Sequence, residues 1–482
     1  MPYRAHPVTI FGNLWRVMYL IVIPVLRGFL LALQSNLEAW LRGAWVDVLI
    51  FLLMLGVAVL RWWKVRLLWD DTSLRLNRGV IFSAQTSVPW NKIIAVYASS
   101  PFYLRPFGAA RLRVQTLAGD KNAAITVLLR QNAVNEVLRR HAAVQPQNEI
   151  TQESYVPRAG SVLALSLLNS NSLAGVVFIA TLVGQSGRLL GNAFSGRLIG
   201  AFEEATRSFA EEATRALAVA VPPAAAAIAL ALLAGWALSF IFAFLRYKNL
   251  RLSRSGGILH IRDGTIGKQR LGARCDAVSY IDIRQSLTTK ILGLSSLYIP
   301  IPGRSGRGDG TACVIPAERQ EIFTKSRASL FPDFSPSAPM SSPGRRALMR
   351  FLAAPLCLCA LIWAAMAAAL WFLKSWGGFI SFAGVMALIP AGLFLIVRIF
   401  DYRTGGLSHN GESYTLRYSK WLYFHTVVIH TDKIVQVRFM QSIFQRRSGA
   451  CDVVIHARAG RPSFHRCRGI NLESAQKLFA TF

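Results

Sequence analysis

The sequence predicts an α+β membrane protein with six transmembrane helices in three pairs, each pair followed by a small β-rich domain with a C-terminal helix. Three observations predict this fold class. Of the 482 residues, 53% are apolar and only 16% are charged, and the mean hydropathy is +0.37, which is typical of polytopic membrane proteins. Six apolar stretches reach the roughly 20 residues that a helix needs to cross a bilayer. One sequence pattern also occurs three times, each time after a pair of these stretches.

The six predicted spans are almost free of ionisable residues. Their approximate limits are 14–35, 44–63, 160–183, 218–245, 351–373 and 378–400. Arg27 and Asp47 are the main exceptions, and Arg16 lies near the start of the first span. A charge within the membrane is costly. We expect Arg27 either to pair with Asp47 or to reach the membrane surface.

The repeated pattern is centred on a glycine, which is Gly108, Gly293 or Gly449. A tight turn with positive φ explains these glycines. Three positions before the glycine stands a basic residue, and apolar residues recur fifteen and twelve positions before it and four and six positions after it. The basic residues are Arg105, Lys290 and Arg446, and Arg447 follows the last of them. Such self-similarity predicts three copies of one structural unit, called here repeats 1, 2 and 3.

The spans and repeats divide the chain into seven segments. Transmembrane pairs are predicted at 1–63, 160–245 and 347–400, and the second pair includes an extracytoplasmic amphipathic helix at about 185–217, where EEATR occurs twice. The β-rich domains are predicted at 64–145, 246–330 and 401–482. Residues 331–346 form a Pro/Ser-rich linker that we expect to be flexible.

The distribution of charge predicts the orientation in the membrane. The net charge is +30, and the stretches 61–158, 246–350 and 398–482 carry net charges of +8, +11 and +8. The loops on the other side are nearly neutral. The positive-inside rule therefore predicts that both termini and all three β-rich domains of this multi-pass protein are cytoplasmic.

The recurring motifs resemble those of the bacterial membrane-flanked PH-like domain family. Repeats 2 and 3 contain Q-S-x(3)-[KR]-x-x-G, as Gln285 to Gly293 and Gln441 to Gly449, whereas repeat 1 has Ser100-Pro101 in place of Gln-Ser. The triple arrangement resembles the longer, YdbT-type members of that family. The resemblance implies that each domain is a small bent sheet closed by a C-terminal helix, at 131–141, 316–326 and 471–482. It implies no catalytic residues.

Other chemistry finds little support in the sequence. The stretch GRSGRGDG at 303–310 lacks the phosphate-binding pattern GxxxxGK[ST], and the six cysteines include no CxxC. His425, His430, His456 and His465 fall in repeat 3 without the spacing of metal ligands. We predict no enzymatic activity, no metal site and no cofactor. We also predict no nucleic-acid partner, because the positive charge is spread evenly over three membrane-tethered domains.

The basic position before each glycine is the candidate binding site. Arg105, Lys290, Arg446 and Arg447 are expected to engage an anionic ligand at the inner leaflet, although basic residues occupy every polar stretch and topology alone could explain them. Arg417 is expected to be an ordinary exposed cation. The predicted function is a non-enzymatic binding or assembly platform. The expected partners are the bilayer, anionic headgroups and a smaller membrane protein of the same family. The alternative is a transporter, export or lipid-handling protein.

Overall fold

The computed structural model describes twenty strands and twelve helices among the residues it covers. The described residues are 3–17, 37–80, 82–116, 123–144, 153–168, 192–217, 223–264, 267–300, 311–458 and 463–480. The strands are β1 Tyr3–Arg4, β2 Arg66–Trp69, β3 Ser73–Arg78, β4 Ala84–Pro89, β5 Ile93–Ser100, β6 Ala109–Thr116, β7 Ile125–Arg130, β8 Glu153–Tyr155, β9 Arg251–Ser255, β10 Ile258–Asp263, β11 Lys268–Arg274, β12 Tyr280–Ser286, β13 Leu294–Pro300, β14 Thr311–Arg319, β15 Gly406–His409, β16 Ser413–Lys420, β17 Tyr423–His430, β18 Ile434–Met440, β19 Ala450–Ala457 and β20 Ser463–Asn471. The helices are α1 Thr9–Val17, α2 Leu37–Lys64, α3 Gln131–Ala143, α4 Ala159–Leu168, α5 Asn192–Leu217, α6 Pro223–Tyr247, α7 Leu287–Ile291, α8 Gln320–Leu330, α9 Leu348–Phe372, α10 Gly377–Thr404, α11 Ile443–Ser448 and α12 Leu472–Leu478.

Three helices in the described part of the chain are long and apolar enough to cross a membrane, so the structure supports three of the six predicted spans. These are Ala227–Tyr247, Arg345–Phe372 and Ile380–Thr404. The predicted spans 14–35 and 160–183, with Arg27, fall largely outside the described residues. The predicted span 44–63 falls in α2, where several side chains, including that of Asp47, are also outside them.

The three repeats have the same order of elements. Each begins with a three-stranded meander, continues through a single 3-10 turn into a second three-stranded meander, and ends in a helix. The 3-10 turns are Trp90–Lys92, Cys275–Ala277 and Thr431–Lys433, and each begins eighteen residues before its repeat glycine. The closing helices are α3, α8 and α12. In repeat 2 the helix begins at Gln320 instead of 316, because residues 316–319 continue β14.

Neighbouring repeats share β-sheets. The second meander of repeat 1 and the first meander of repeat 2 form one sheet in the order β7-β6-β5-β11-β10-β9-β8, joined by the antiparallel pair β5 and β11. The second meander of repeat 2 and the first of repeat 3 form another, β14-β13-β12-β17-β16-β15, joined by β12 and β17. This pairing covers strand edges that would otherwise be open to aggregation.

Two compact units follow from this arrangement, and they divide repeat 2. One unit contains described residues of Met1–Ser154 and Arg251–Ala277, and the other contains Tyr155–Leu250, Val278–Pro300 and residues from Thr311 onwards. The division falls directly before Val278, between the two meanders of repeat 2. The first meander of repeat 2 therefore packs as part of repeat 1's sheet, and the second as part of repeat 3's sheet.

The apolar positions of the repeat form the cores. The side chains four and six residues after the glycine are at most 1% exposed in all three repeats: Leu112, Val114, Leu297, Ile299, Val453 and Ile455. In repeat 1 they pack with apolar residues from the first meander and from α3, and in repeat 3 with the equivalent strands and α12. Burial of a single Leu or Val side chain contributes roughly 1.5–3 kcal/mol, which explains why the spacing is kept in each repeat.

The Pro/Ser-rich segment is ordered against repeat 3, contrary to the expected flexibility. Ser341 and Leu407 exchange backbone hydrogen bonds of 2.9 and 2.8 Å. Ser337 lies beside β16, where its backbone N–H donates to Thr415. Strand β15 is the edge of its sheet, and the segment satisfies backbone groups that this edge would leave unpaired.

His141 is a buried imidazole in the contact between α3 and β11. It is 1% exposed, and neither ring nitrogen has a hydrogen-bond partner among the described residues. Burial, with the nearby charges of His260 and Arg274, lowers the pKa of His141 to about 4. The imidazole of His141 is therefore neutral in the folded unit at neutral pH.

We expect His141→Leu to reduce the acid sensitivity of the protein. As the pH falls below about 6.5, this histidine is protonated in the unfolded chain before it is protonated in the folded chain, which lowers the free energy of unfolding. The loss is absent above that pH and grows to on the order of 3 kcal/mol at about pH 4. Thermal unfolding of the full-length protein in detergent, at about pH 7.5 and about pH 5, measures this. At the higher pH the variant should unfold at the same temperature as the native protein or at a higher one, because the substitution removes two buried nitrogens that lack hydrogen-bond partners. If acidification lowered the unfolding temperature of both proteins equally, His141 would not be a source of the acid sensitivity.

Candidate functional site

The repeat glycines lie in one kind of turn, between the first and second strands of the second meander. Gly108, Gly293 and Gly449 have φ values of 61°, 65° and 64°, the left-handed region that favours glycine. A Cβ atom at any of the three would meet nothing within 4 Å, so the backbone conformation, and not space, requires glycine. The carbonyl oxygen of each glycine accepts a hydrogen bond from the N–H of the first residue of the closing helix, which is Gln131, Gln320 or Leu472. The turn thereby also caps that helix.

A side chain eight residues before the glycine ties each turn to the following strand. It donates a hydrogen bond to the carbonyl oxygen of the residue directly after the glycine, at 2.8–3.0 Å. The donors and acceptors are Ser100 to Ala109, Gln285 to Leu294 and Gln441 to Ala450. Ser100 of repeat 1, which replaces the glutamine, therefore makes the same contact from a shorter side chain.

Short helices form the turns of repeats 2 and 3. Ser286 precedes α7 and Ser442 precedes α11, and each makes a reciprocal capping box with the residue three positions later, Thr289 or Gln445. This arrangement satisfies donors that a short helix would otherwise leave free. In repeat 1, Pro101 takes the place of the serine and the turn contains no helix.

The predicted basic residues occupy different environments. Arg446 and Arg447 are exposed, whereas Arg105 and Lys290 are half-buried. The Lys290 ammonium donates to Thr404 Oγ1 at 3.2 Å and lies 4.0 Å from the centre of the Phe424 ring. Burial lowers the pKa of Lys290, and Arg417 lowers it further, whereas Asp401 opposes the shift.

Large apolar side chains are exposed beside these cations. Phe102 is 66% exposed in the first turn, Ile291 is 75% exposed in the second and Ile443 is 76% exposed in the third. Trp421, at the tip of the β16–β17 hairpin, is 78% exposed and has a φ of 58°. The pairing of Ser286 with Tyr423 brings this tip to the end of the sheet where the turn of repeat 2 begins. The turn of repeat 2 and this hairpin tip therefore expose large apolar side chains at one end of the same sheet.

The turns of repeats 2 and 3 are hydrogen-bonded to the ends of apolar helices. Thr404, which receives the bond from Lys290, is the last residue of α10. Arg350, in the first turn of α9, donates to Ser442 Oγ at 3.1 Å. Both turns therefore lie where a candidate membrane span ends.

A buried carboxylate strengthens the second of these contacts. Asp452 is fully buried and accepts hydrogen bonds from Arg350 at 2.7 Å, Arg466 at 2.6 Å and Gln445 at 2.7 Å. A buried charge is tolerated only when it is paired and hydrogen-bonded in this way. The start of α9 is thus held against the turn and the last strand of repeat 3.

A second buried network joins β12 of repeat 2 to repeat 3. Asp282 accepts a hydrogen bond from Arg284 at 2.6 Å and lies 3.1 Å from His425 Nδ1. Burial raises the pKa of Asp282, but the interactions with His425 and Arg284 outweigh it and hold that pKa well below its usual range. The Tyr418 hydroxyl is 2.8 Å from His465 Nδ1, and burial lowers the pKa of His465 to about 4.

Within the described part of the chain, no group of three or more His, Cys, Asp and Glu side chains has the geometry of a metal site. Two of the four histidines singled out in repeat 3, His425 and His465, do come together. The carboxylate partner of His425, Asp282, belongs to repeat 2, and a spacing pattern within repeat 3 could not reveal it.

The repeats correspond to a known family. Its description is bacterial PH domain, and it matches residues 20–144, 200–321 and 350–482. The chain belongs to the bacterial PH domain family. The three repeats are PH modules 1, 2 and 3, and the family is generally non-catalytic. Comparison with curated proteins and with solved structures gave no match.

Several residues of the site were not apparent from the sequence. Arg417 is half-buried, not exposed as expected, because the Pro/Ser segment lies beside it and accepts its hydrogen bond at Ser337 O, 2.8 Å away. Arg350 and Asp452 also carried no signal, because their partners lie in other elements. Asp401 bonds to Ser419 of β16 as well as to Arg398 of its own helix. The parts of the site visible in the sequence were the glycines, the basic residues before them and the Gln-Ser pairs of repeats 2 and 3.

Proposed function

We propose that the protein is a multi-pass membrane protein whose PH modules form a non-enzymatic binding and assembly platform at the cytoplasmic surface of the bacterial inner membrane. One observation carries the proposal. The turns of modules 2 and 3 are hydrogen-bonded to the ends of α10 and α9, through Lys290 to Thr404 and Arg350 to Ser442. Basic and apolar side chains of these turns therefore stand at the level where a spanning helix leaves the bilayer.

The charges at the helix ends support a cytoplasmic orientation. The described spans carry their basic residues at the ends that adjoin PH modules: Arg246, Arg345, Arg346, Arg350, Arg398 and Arg403. Positively charged flanks favour the cytoplasmic side. The modules themselves carry most of the net charge of +30.

The composition of the turns favours the anionic leaflet as the surface they contact. A cation close to such a leaflet contributes about 1 kcal/mol, and apolar and aromatic side chains are stabilised at the headgroup level. Ile291, Ile443 and Trp421 provide the apolar part, and Lys290 and Arg446 the charge. A partner protein bound to the same turns is the other outcome that an experiment can reveal.

Transport finds no support in the described spans. Their ionisable residues lie within the last or first two turns, and Arg398 and Asp401 pair with one another at 2.9 Å. Substrate pathways are usually marked by ionisable groups nearer the middle of the membrane. The platform is therefore the better supported function.

Reporter fusions test the orientation. Fusions after Gln115, Gly303 and Gly460 should each be active with a reporter that works in the cytoplasm and inactive with one that works in the periplasm. Periplasmic activity at any of the three sites would contradict the proposal.

Photo-cross-linking tests the contact surface. A photoreactive amino acid placed at Phe102, Ile291 or Ile443 of the full-length protein in cells should give phospholipid adducts on irradiation, because these side chains are exposed at the turns. Mass spectrometry distinguishes lipid adducts from protein adducts. The same probe at Lys325, an exposed position on α8, should give few lipid adducts.

Charge reversal at the three basic positions tests whether their charge supports the contact. A variant with Glu in place of Arg105, Lys290 and Arg446 should give a several-fold lower yield of lipid adducts, and the difference should depend on salt. The matched control variant has Glu in place of Arg139, Arg262 and Lys477, which are exposed elsewhere on the modules. Its adduct yield should stay close to that of the native protein. Equal losses in both triple variants, or protein adducts in place of lipid adducts, would contradict the leaflet contact.

A further inference from the structure

A cavity of about 310 Å³ lies beside the turn of module 2. Its walls come from the end of α10, from β12 and from β16 and β17, so modules 2 and 3 both contribute. The polar lining includes Gln285, Lys290, Asp401, Thr404, Arg417 and His425. The volume is at the lower end of the range of small-molecule sites.

The lining contains two cations without a carboxylate partner. Among the described residues, no ion pair joins Lys290 or Arg417 to an acidic side chain. Lys290 donates to the Thr404 hydroxyl, and Arg417 donates to the Ser337 carbonyl oxygen, both of which are neutral acceptors. Guanidinium and ammonium groups in a half-buried site normally pair with an anion.

The acidic residue of the cavity is already engaged. Asp401 Oδ2 accepts hydrogen bonds from Arg398 at 2.9 Å and from Ser419 at 2.7 Å. His425 brings no negative charge to the lining, because an imidazole is neutral or positively charged, and its Nδ1 faces Asp282. The positive side of the lining is therefore the one left unbalanced.

We propose that this cavity binds a phosphate group, with Lys290 and Arg417 as its cationic ligands. A phosphate presents several acceptor oxygens, which suits a lysine from α7 and an arginine from β16. Burial lowers the pKa of both Lys290 and Arg417, and an anion between them would offset that desolvation.

Two sources can supply this chemistry, a phospholipid headgroup and free phosphate. Binding of a lipid headgroup rests on the proposed function, since Thr404 ends a candidate span and would place the cavity at the headgroup level. Binding of free phosphate does not require the cavity to lie at the membrane surface. The site combines residues from two modules, so neither module contains it alone.

The test uses the full-length protein purified in detergent and stripped of lipid. Native mass spectrometry measures binding of phosphatidylglycerol and of a diacylglycerol glycolipid without phosphate, and thermal shift measures inorganic phosphate. We expect phosphatidylglycerol or inorganic phosphate to bind, and the glycolipid not to. Lys290→Gln with Arg417→Gln should weaken that binding roughly tenfold or more, as expected for the loss of charge-assisted hydrogen bonds.

The control variant is Arg262→Gln with Lys325→Gln, which removes two exposed charges outside the cavity and should bind normally. Lys290→Arg keeps the charge and should retain binding, and Lys290→Gln alone serves if the double variant does not fold. Binding of neither phosphate probe, or equal binding by the native protein and the cavity variants, would overturn the inference. If only the phosphate site is wrong, the lipid adducts at Phe102 and Ile443 should still form. If only the proposed function is wrong, those adducts should be absent, while binding of inorganic phosphate to the protein in detergent should be unchanged.

Discussion

The antiparallel pairing of β12 with β17 is the constraint on which the functional surface of modules 2 and 3 depends. It aligns Ser286 with Tyr423 and Asp282 with Val427, and so fixes the turn of module 2 beside the hairpin tip of module 3. The same register brings Asp282 within hydrogen-bonding distance of His425, a pair that neither module could form alone. Because side chains alternate along a strand, a shift of one residue would move each of these groups to the opposite face. The buried ionic contacts make such a shift costly.

The apolar helices provide the second constraint. Helix α10 ends at Thr404 against Lys290, while Arg398 and Asp401 bond to one another and to Ser419 of β16. Helix α9 begins beside Asp452, which holds Arg350 and Arg466 together. The sheets and the candidate spanning helices are thus joined by buried charges, not by linkers alone. The turns of modules 2 and 3 are therefore held at the ends of these helices, which is what the proposed platform requires.

The sequence was sufficient to locate the repeats, because glycine spacing and buried apolar positions are local properties of the chain. Leu112, Leu297 and Val453 could be recognised as equivalent from their distances to the glycines alone. The glycine spacing also aligned Ser100 with Gln285, but it could not show that these different side chains donate the same hydrogen bond. Arg417 looked like any exposed cation, since the segment that covers it is eighty residues away. The sheets shared between repeats were also beyond prediction, because nothing in one repeat records which strand edge the next will meet.

Disulfide cross-linking across β12 and β17 tests the shared sheet most directly. Ile283 and Thr426 are direct partners in the register, and antiparallel partners have Cα separations of about 4.5–5.5 Å, within the range of a disulfide. Ile283→Cys with Thr426→Cys should form an intramolecular bond under mild oxidation, identified as a linked peptide by mass spectrometry. Ile283→Cys with Tyr423→Cys is out of register by three residues, or roughly 10 Å, and should not. Absence of the first bond, or its formation only between two copies of the chain, would contradict the account.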